Sequence, residues 1–408
     1  MKNCRHCNNP LKHSFLDLGF APPSNALLSP EQLFQPERHY PLRVMVCENC
    51  WLVQTEDFAN TEDLFQDDYP YFSSTSSTWL AHARVFSLEI IKKLRLDDNS
   101  LAIEVASNDG YLLRNFEEAG IPCLGIEPTT GTADVAERLG IPVIREFFTE
   151  SLGIQLRSEG RQADLIMGNN VYAHVPDIND FTLGLKAALK QGGTISLEFH
   201  HFMHLLEKCQ FDTIYHEHFS YFSLYTACQI FATAGLRIWH VENLPTHGGS
   251  IRVYGCHEDD ARENNNSVLS MLNEETDNGL QNLQTYLGFQ DRADQIKDAL
   301  LSFLIKQKAK GKKVVGYGAA AKGNTLLNYA GVKPDLLPIV CDAAPSKQGK
   351  FMPGSHIPIV SQKELAKANP DYVLILPWNI SKEVRYENAK FLKDGVKFVT
   401  TMKHLSVL

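Results

Sequence analysis

"SLAIEVASNDGYLLRNFEEAG", residues 100–120, decides the fold. Leu101 to Val105 is an apolar run broken only by Glu104, and it reads as a buried strand. Ser107, Asn108, Asp109 and Gly110 supply turn chemistry, and the helix that follows ends at Gly120. The same grammar recurs downstream. "CLGIEP" (123–128) is a strand and "TADVAERLG" (132–140) a helix. "ADLIMGN" (163–169) is a strand, "DINDFTLGLKAALKQGG" (177–193) a helix and "TISLEF" (194–199) a strand. Repeated units of this kind imply an α/β chain with a parallel, doubly wound sheet. Such sheets bind ligands beyond the carboxyl ends of their strands. Glu104 to Gly110 therefore lie where a cofactor is expected. Glu127 ends the next strand, where an acid suits the two hydroxyls of a ribose. The turn is not G-x-G-x-x-G and offers little cradle for a pyrophosphate. That favours an adenosine cofactor without phosphates, such as S-adenosylmethionine.

Towards the N-terminus, Cys4-x-x-Cys7 and Cys47-x-x-Cys50 enclose 39 residues, 8 through 46. Two such bites close a tetrahedral shell, so a structural zinc with no open position is expected. The segment is too small for a strong core of its own, and the metal would hold it together. Towards the C-terminus, "KKVVGYGAAAKGNTLLNYAG" (312–331) starts a second strand–helix alternation. It reads as a smaller Rossmann-like α/β domain. Its glycine loop and Lys322 suit a diphosphate; Arg252, Lys347 and Lys350 are further cation candidates. The expected units are a zinc-binding domain over 1–68, a cofactor-binding domain over 69–258 and a C-terminal domain over 259–408.

The chain has 408 residues, 44% hydrophobic and 21% charged, with a net charge of -9. No general attraction to nucleic acid or to an anionic membrane follows. No apolar run is long enough to span a bilayer, and "MKNCRHCNNP" carries no signal-peptide core, so a cytoplasmic monomer is expected. The five remaining cysteines sit mostly among apolar neighbours and read as small buried hydrophobes.

"FDTIYHEHFSYFSL" (211–224) sets Tyr215, His216, Glu217 and His218 side by side before an aromatic run. Adjacent positions do not converge easily on one ion, so a metal site is disfavoured and acid/base work favoured. A neutral imidazole is a suitable base near neutral pH. His216 alone reads as a structural polar group.

These motifs together resemble the sugar C-3-methyltransferases. The resemblance runs the length of the chain. It rests on the N-terminal cysteine set, "YPYFSS" (69–74), "EVASNDG" (104–110), "NNVYAHVPD" (169–177), the YHEH run, "HGGSIRVY" (247–254) and "GYGAAAKGNTLLN" (316–328). It implies a class I methyltransferase sheet that uses S-adenosylmethionine to methylate C3 of a nucleotide-linked 4-keto-deoxysugar of the dTDP or GDP type. It adds Tyr69, Ser74, Ala106, Asn169 and Asn170 to the cofactor site, and His247 with Lys322 and Arg252 to the substrate site. It makes His218 the base, with Tyr215 and Glu217 beside it and His174 across the site. A neighbouring carboxylate can fix a histidine's tautomer, and Tyr215 or His174 can donate to an enolate oxygen. The chain departs from the family at Ala106, where many methyltransferases have glycine. It departs again at "EFHHFMHLL" (198–206), where a more apolar, proline-bearing stretch is expected. Two other readings compete. One is an NAD-type oxidoreductase, with Asp342 as the ribose acid after the second glycine loop. The other is a zinc-ribbon scaffold that binds a partner.

Overall fold

The computed structural model describes residues 3–56, 58, 72–390 and 395–408. Strands β1 (His13–Ala21), β2 (Tyr40–Val46) and β3 (Val53–Thr55) form an antiparallel N-terminal sheet. The middle unit follows with β4 (Ala102–Val105), β5 (Cys123–Ile126), β6 (Val143–Ile144), β7 (Ala163–Asn169) and β8 (Leu189–His200). Strand β9 (Ser220–Tyr221) leaves that sheet and pairs with β3 instead. Strands β10 (Leu236–Leu244) and β11 (Ser250–His257) complete a seven-stranded sheet in the order β10-β11-β8-β7-β4-β5-β6. The run β6 to β8 is parallel, and β11 is antiparallel to both β8 and β10. This is the doubly wound sheet expected from the sequence, with an antiparallel edge.

Strand β4 is central because all four of its residues are buried. Side chains alternate across a strand. Ile103 and Val105 therefore join the core that holds Leu124 and Ile166, while Ala102 faces Phe86 and Ile90 of the helix Ser77–Leu94. Glu104 shares the face of Ala102, which places a carboxyl inside an apolar layer.

The C-terminal unit has β12 (Val314–Tyr317), β13 (Val340–Cys341), β14 (Ile359–Val360), β15 (Tyr372–Ile375), β16 (Lys397–Thr400) and β17 (Ser406–Val407). Their order is β14-β13-β12-β15-β16-β17, parallel except for the last pair. The helix Asn266–Asp277, on the C-terminal side of the expected boundary, packs Val268 and Met271 into the middle core. Its Glu275 caps the helix Leu224–Thr233 by accepting from the Leu224 and Tyr225 amides, and it also bonds His201 at 2.7 Å. A second core joins all three units: Phe15 of β1 stacks on Phe289 at 4.4 Å, beside Phe202 and Leu304. No described helix is long and apolar enough to cross a membrane.

Candidate active site

The four N-terminal cysteines converge. Cys4 Sγ lies 3.6 Å from Cys50 Sγ, and Cys7 Sγ 3.5 Å from Cys47 Sγ. A tetrahedral zinc with bonds of about 2.3 Å sets its sulfurs roughly 3.8 Å apart, so the set fits the ion. Each pair sits on a matching turn. The Asn8 amide donates to the Cys4 carbonyl and the Trp51 amide to the Cys47 carbonyl, both at 2.9 Å. Asn8 and Trp51 adopt left-handed φ of 59° and 61°. Cys47 and Cys50 hold Cys4 low, while sharing with Cys4 pushes Cys47 up to about 11 and raises Cys50 too. A cation among them is what permits four thiolates.

This metal-binding turn also grips the rest of the site. Arg5, between the first two cysteines, donates to the Pro176 carbonyl at 2.7 Å and the Thr55 carbonyl at 3.0 Å. Asn179 donates to the His6 carbonyl at 2.9 Å. The Phe219 amide reaches the Ala173 carbonyl at 2.7 Å, and the Thr55 amide reaches the Phe219 carbonyl at 3.1 Å. Residues 173–179 and 218–219 are thereby tied to β3 and to the zinc turns.

A cavity of about 770 Å³ opens between the carboxyl ends of the middle sheet and the C-terminal unit. Its walls are divided by charge. Glu127, Glu146, Asp177 and Asp180 come from the middle unit. The lining lysines among the described residues, Lys322 and Lys347, both come from the C-terminal unit. Of the residues singled out in the sequence, Ala106, Asn108, Glu127, Asn169, Asn170, His174, Tyr215, His218, His247 and Lys322 meet on this wall. Tyr69 lies outside the described residues.

Five others are placed behind the wall. Ser74 donates its amide to Asp109 Oδ2 at 3.0 Å, and it is Ser73 that reaches the cavity, with its own amide on Asn108 Oδ1 at 2.9 Å. Gly110 packs against the helix Thr130–Arg138, where a Cβ would stand 2.6 Å from Ile141 Cδ1. Glu104 is wholly buried under the loop, and burial raises its carboxyl well above the usual range. Arg252 is neutralised within the middle unit: its guanidinium bonds Glu198 and His82 and lies 4.0 Å over the Phe86 ring. A cation already paired and stacked is a structural tie for the helix Ser77–Leu94, so the expected substrate role for Arg252 is corrected. Glu217 takes both hydrogens' worth of contact from Asn25, whose Nδ2 lies 2.9 Å from each carboxylate oxygen.

The YHEH run is a turn, closed by the His218 amide on the Tyr215 carbonyl at 2.9 Å. Strand alternation therefore does not apply, and Tyr215 and His218 come together with ring centroids 3.9 Å apart. His174 meets His218 edge-on at 4.6 Å. His218 Nδ1 lies 2.9 Å from the Thr213 carbonyl. A carbonyl only accepts, so Nδ1 carries the hydrogen and Nε2 keeps its lone pair. Sequence reasoning gave the tautomer-fixing role to Glu217; the Thr213 carbonyl performs it. Burial, then the neighbouring His174, hold His218 well below the ordinary imidazole range, and burial holds His174 down to about 4. His216 points away, to the Tyr40 carbonyl at 3.3 Å.

Glu127 directly follows β5 on the cavity wall, and its carboxylate accepts from the Asn108 amide at 2.9 Å, the Thr129 amide at 3.0 Å and the Thr129 hydroxyl. Opposite, Asp342 is occupied by backbone. Its oxygens accept from the Ala319 amide at 2.7 Å and the Ala344 amide at 2.8 Å. The acid that motivated the NAD reading stitches two loops together. Asn25 and Trp79 also line the cavity and were missed in the sequence; His200, of the atypical stretch 198–206, lines it as well. Nothing local in the sequence betrays that Asn25 crosses to Glu217.

Three family models match most of the chain: a zinc binding domain over 4–65, a methyltransferase domain over 79–241 and a C-methyltransferase C-terminal domain over 245–402. The C-methyltransferase NovU of Streptomyces niveus is 34% identical over 405 residues, which is 99% of this chain and 96% of NovU. Among solved structures, an S-adenosylmethionine-dependent methyltransferase from Clostridium acetobutylicum is 12% identical, covering 44% of this chain and 92% of its own, with a TM-score of 0.36. One from Thermotoga maritima is 15% identical, covering 46% and 96%, with a TM-score of 0.35. With a relative of that identity along nearly its whole length, the chain belongs to the S-adenosylmethionine-dependent C-methyltransferases that carry an N-terminal zinc-binding domain.

Proposed function

We propose that the enzyme methylates C3 of a nucleotide-linked 4-keto-deoxysugar through an enolate. One observation carries this reading: His218 offers an unprotonated Nε2 in a cavity that also holds Glu127 at one end and Lys322 with Lys347 at the other. S-adenosylmethionine supplies the electrophilic methyl group. His218 removes the C3 proton, and the electron pair of that bond moves into the enolate with its charge on the C4 oxygen. Tyr215 or His174 donates to that oxygen. The enolate carbon would take the methyl as the sulfur–methyl bond breaks and its electron pair returns to sulfur, leaving S-adenosylhomocysteine, while the C4 ketone re-forms and His218 releases its proton to solvent. Burial favours the neutral imidazole, so the charged form is short-lived and the base is regenerated. Glu217 acts on the wall through Asn25.

At the other end, burial lowers the Lys322 ammonium, and the charge of Asp212 opposes that shift. The start of the helix Ala321–Tyr329 and Lys322 and Lys347 suit the diphosphate of a dTDP- or GDP-type substrate. The reading includes a monomer working in the cytoplasm.

The test is exchange of the C3 hydrogen of a dTDP-linked 4-keto-2,6-dideoxyhexose in deuterated water, with S-adenosylhomocysteine bound. The parent should exchange it. His218→Ala should lose about a hundredfold to ten-thousandfold in exchange and turnover while binding S-adenosylmethionine normally. A His218→Ala protein that exchanges as fast as the parent removes His218 from the role. A parent that exchanges no 4-keto nucleotide-sugar overturns the substrate reading.

A further inference from the structure

His200 ends β8 on the cavity wall. Its Nε2 lies 2.6 Å from Gln210 Oε1. The orientation of Gln210 is fixed independently, because its Nε2 donates to the Gly248 carbonyl at 3.1 Å. The amide oxygen therefore faces the imidazole, Nε2 of His200 carries the hydrogen, and Nδ1 keeps a lone pair. Gly248 is itself built in. At φ 96°, a Cβ there would stand 2.3 Å from Trp378 Cη2 and 2.8 Å from the Gln210 amide nitrogen. Lys208 adds a second donor to the same carbonyl at 2.8 Å.

No hydrogen bond among the described residues reaches His200 Nδ1. Nor is that atom sealed in the protein, as the unpartnered Nδ1 of His201 next to it is. Burial and the nearby Lys322 both hold the ring neutral. A neutral acceptor under the field of an ammonium group welcomes a donor without charge and resists a cation.

We infer that His200 Nδ1 accepts a hydrogen bond from a hydroxyl of the substrate, so that the cavity selects a hydroxylated ring over an aminated one. This rests on the nucleotide-sugar reading for its ligand. His200 is a specificity-determining residue on this view, and Gln210 positions it. Neither takes part in the proton transfer assigned to His218.

Two measurements test it. The first needs no substrate: nitrogen-15 spectra of histidine-labelled protein should show His200 with Nδ1 unprotonated and Nε2 protonated. Gln210→Met should turn that signal into a mixture of tautomers. A protonated Nδ1 in the parent overturns the inference whatever the sugar results are. The second compares dTDP-linked 4-keto-2,6-dideoxyhexoses that carry hydroxyl or amino at C3. The parent should bind the hydroxyl sugar about tenfold to a hundredfold more tightly, the range for one buried hydrogen bond. His200→Phe should erase that ratio, and Gln210→Met should reduce it, with dTDP affinity unchanged in both. A ratio that survives His200→Phe, or a parent that prefers the amino sugar, overturns the inference. Failure of the nucleotide-sugar reading looks different: the parent then binds neither sugar nor dTDP.

Discussion

Two strand-to-helix loops face each other across the cavity, and they share a grammar but not a charge. The loop after β4 passes through Ala106 and Asn108 at φ 55° and 50°, with Glu127, Asp177 and Asp180 on the surrounding wall. The loop after β12 turns at Gly318, φ 92°, against Pro377, and brings Lys322 and Lys347 to the wall. The acidic side suits a ligand with a sulfonium, and the basic side suits the proposed diphosphate. A net charge of -9 describes neither end. What matters to each ligand is the local field in a cleft of low dielectric.

Acid should strain this arrangement most, because the space between the loops is filled with neutral histidines. Burial holds His174 and His247 down to about 4, and His200 and His218 well below 6.5. Each takes a proton near 6.5 when unfolded, so below that pH the unfolded chain binds more protons and stability falls towards pH 4. Two carboxyls oppose the trend: burial raises Asp212 to about 7 and raises Glu104 as well, so both hold protons in the folded state that the unfolded chain has released. Four histidines against two carboxyls leave a net loss of stability as the pH falls from about 6.5 towards 4. Denaturant unfolding at neutral and mildly acid pH measures it, and a stability that stays level or rises contradicts the neutral-histidine cavity.

The division of ligands is tested by crossing the two ends. Glu127→Ala should weaken S-adenosylhomocysteine by about 1–3 kcal/mol, the range for a buried acceptor lost, and leave dTDP affinity alone. Lys322→Met should do the reverse, weakening dTDP by roughly 1.5–3 kcal/mol as a charge-assisted contact is lost. Calorimetric titration of both ligands into both variants gives the answer. If either substitution weakens both ligands equally, the two loops do not divide the work.

The smallest effects separate the loops as backbones. Gly318→Ala sets a Cβ 2.4 Å from Pro377 Cδ, in a left-handed conformation, and should cost about 1–3 kcal/mol. Ala106 already pays the left-handed strain that glycine avoids, so Ala106→Gly should stabilise the protein by about 0.5–1 kcal/mol. Thermal unfolding of the two variants should move in opposite directions. A destabilised Ala106→Gly would mean that its methyl group packs usefully against the wall.

The elements around these loops were legible in the sequence because local pattern specifies local structure. The apolar run 101–105 and the paired cysteines each carry their meaning within a few residues. Partners distant in sequence carried no such signal. Arg252 reads as a free cation until Glu198 is seen on the neighbouring strand. Asp342 reads as a ribose acid until the Ala319 and Ala344 amides are seen to occupy it. Glu217 reads as the partner of His218 until Asn25 arrives from the N-terminal segment. In each case the residue type was informative and its counterpart was set by tertiary packing.

Strand β9 has a consequence for how the protein is made. Among the described residues, the N-terminal sheet ends at β3, whose outer edge is covered by Phe219, Ser220 and Tyr221. Between Thr55 and Ser220 the chain has 164 residues, 56 through 219. At a synthesis rate of about 5–20 residues per second, that edge waits roughly 8–33 seconds for its partner on the ribosome. All four cysteines are synthesised before this interval begins, so zinc can bind them while the open strand is a template for pairing with other nascent chains. Yield of soluble protein should therefore respond to zinc supply during translation more than to zinc added after purification.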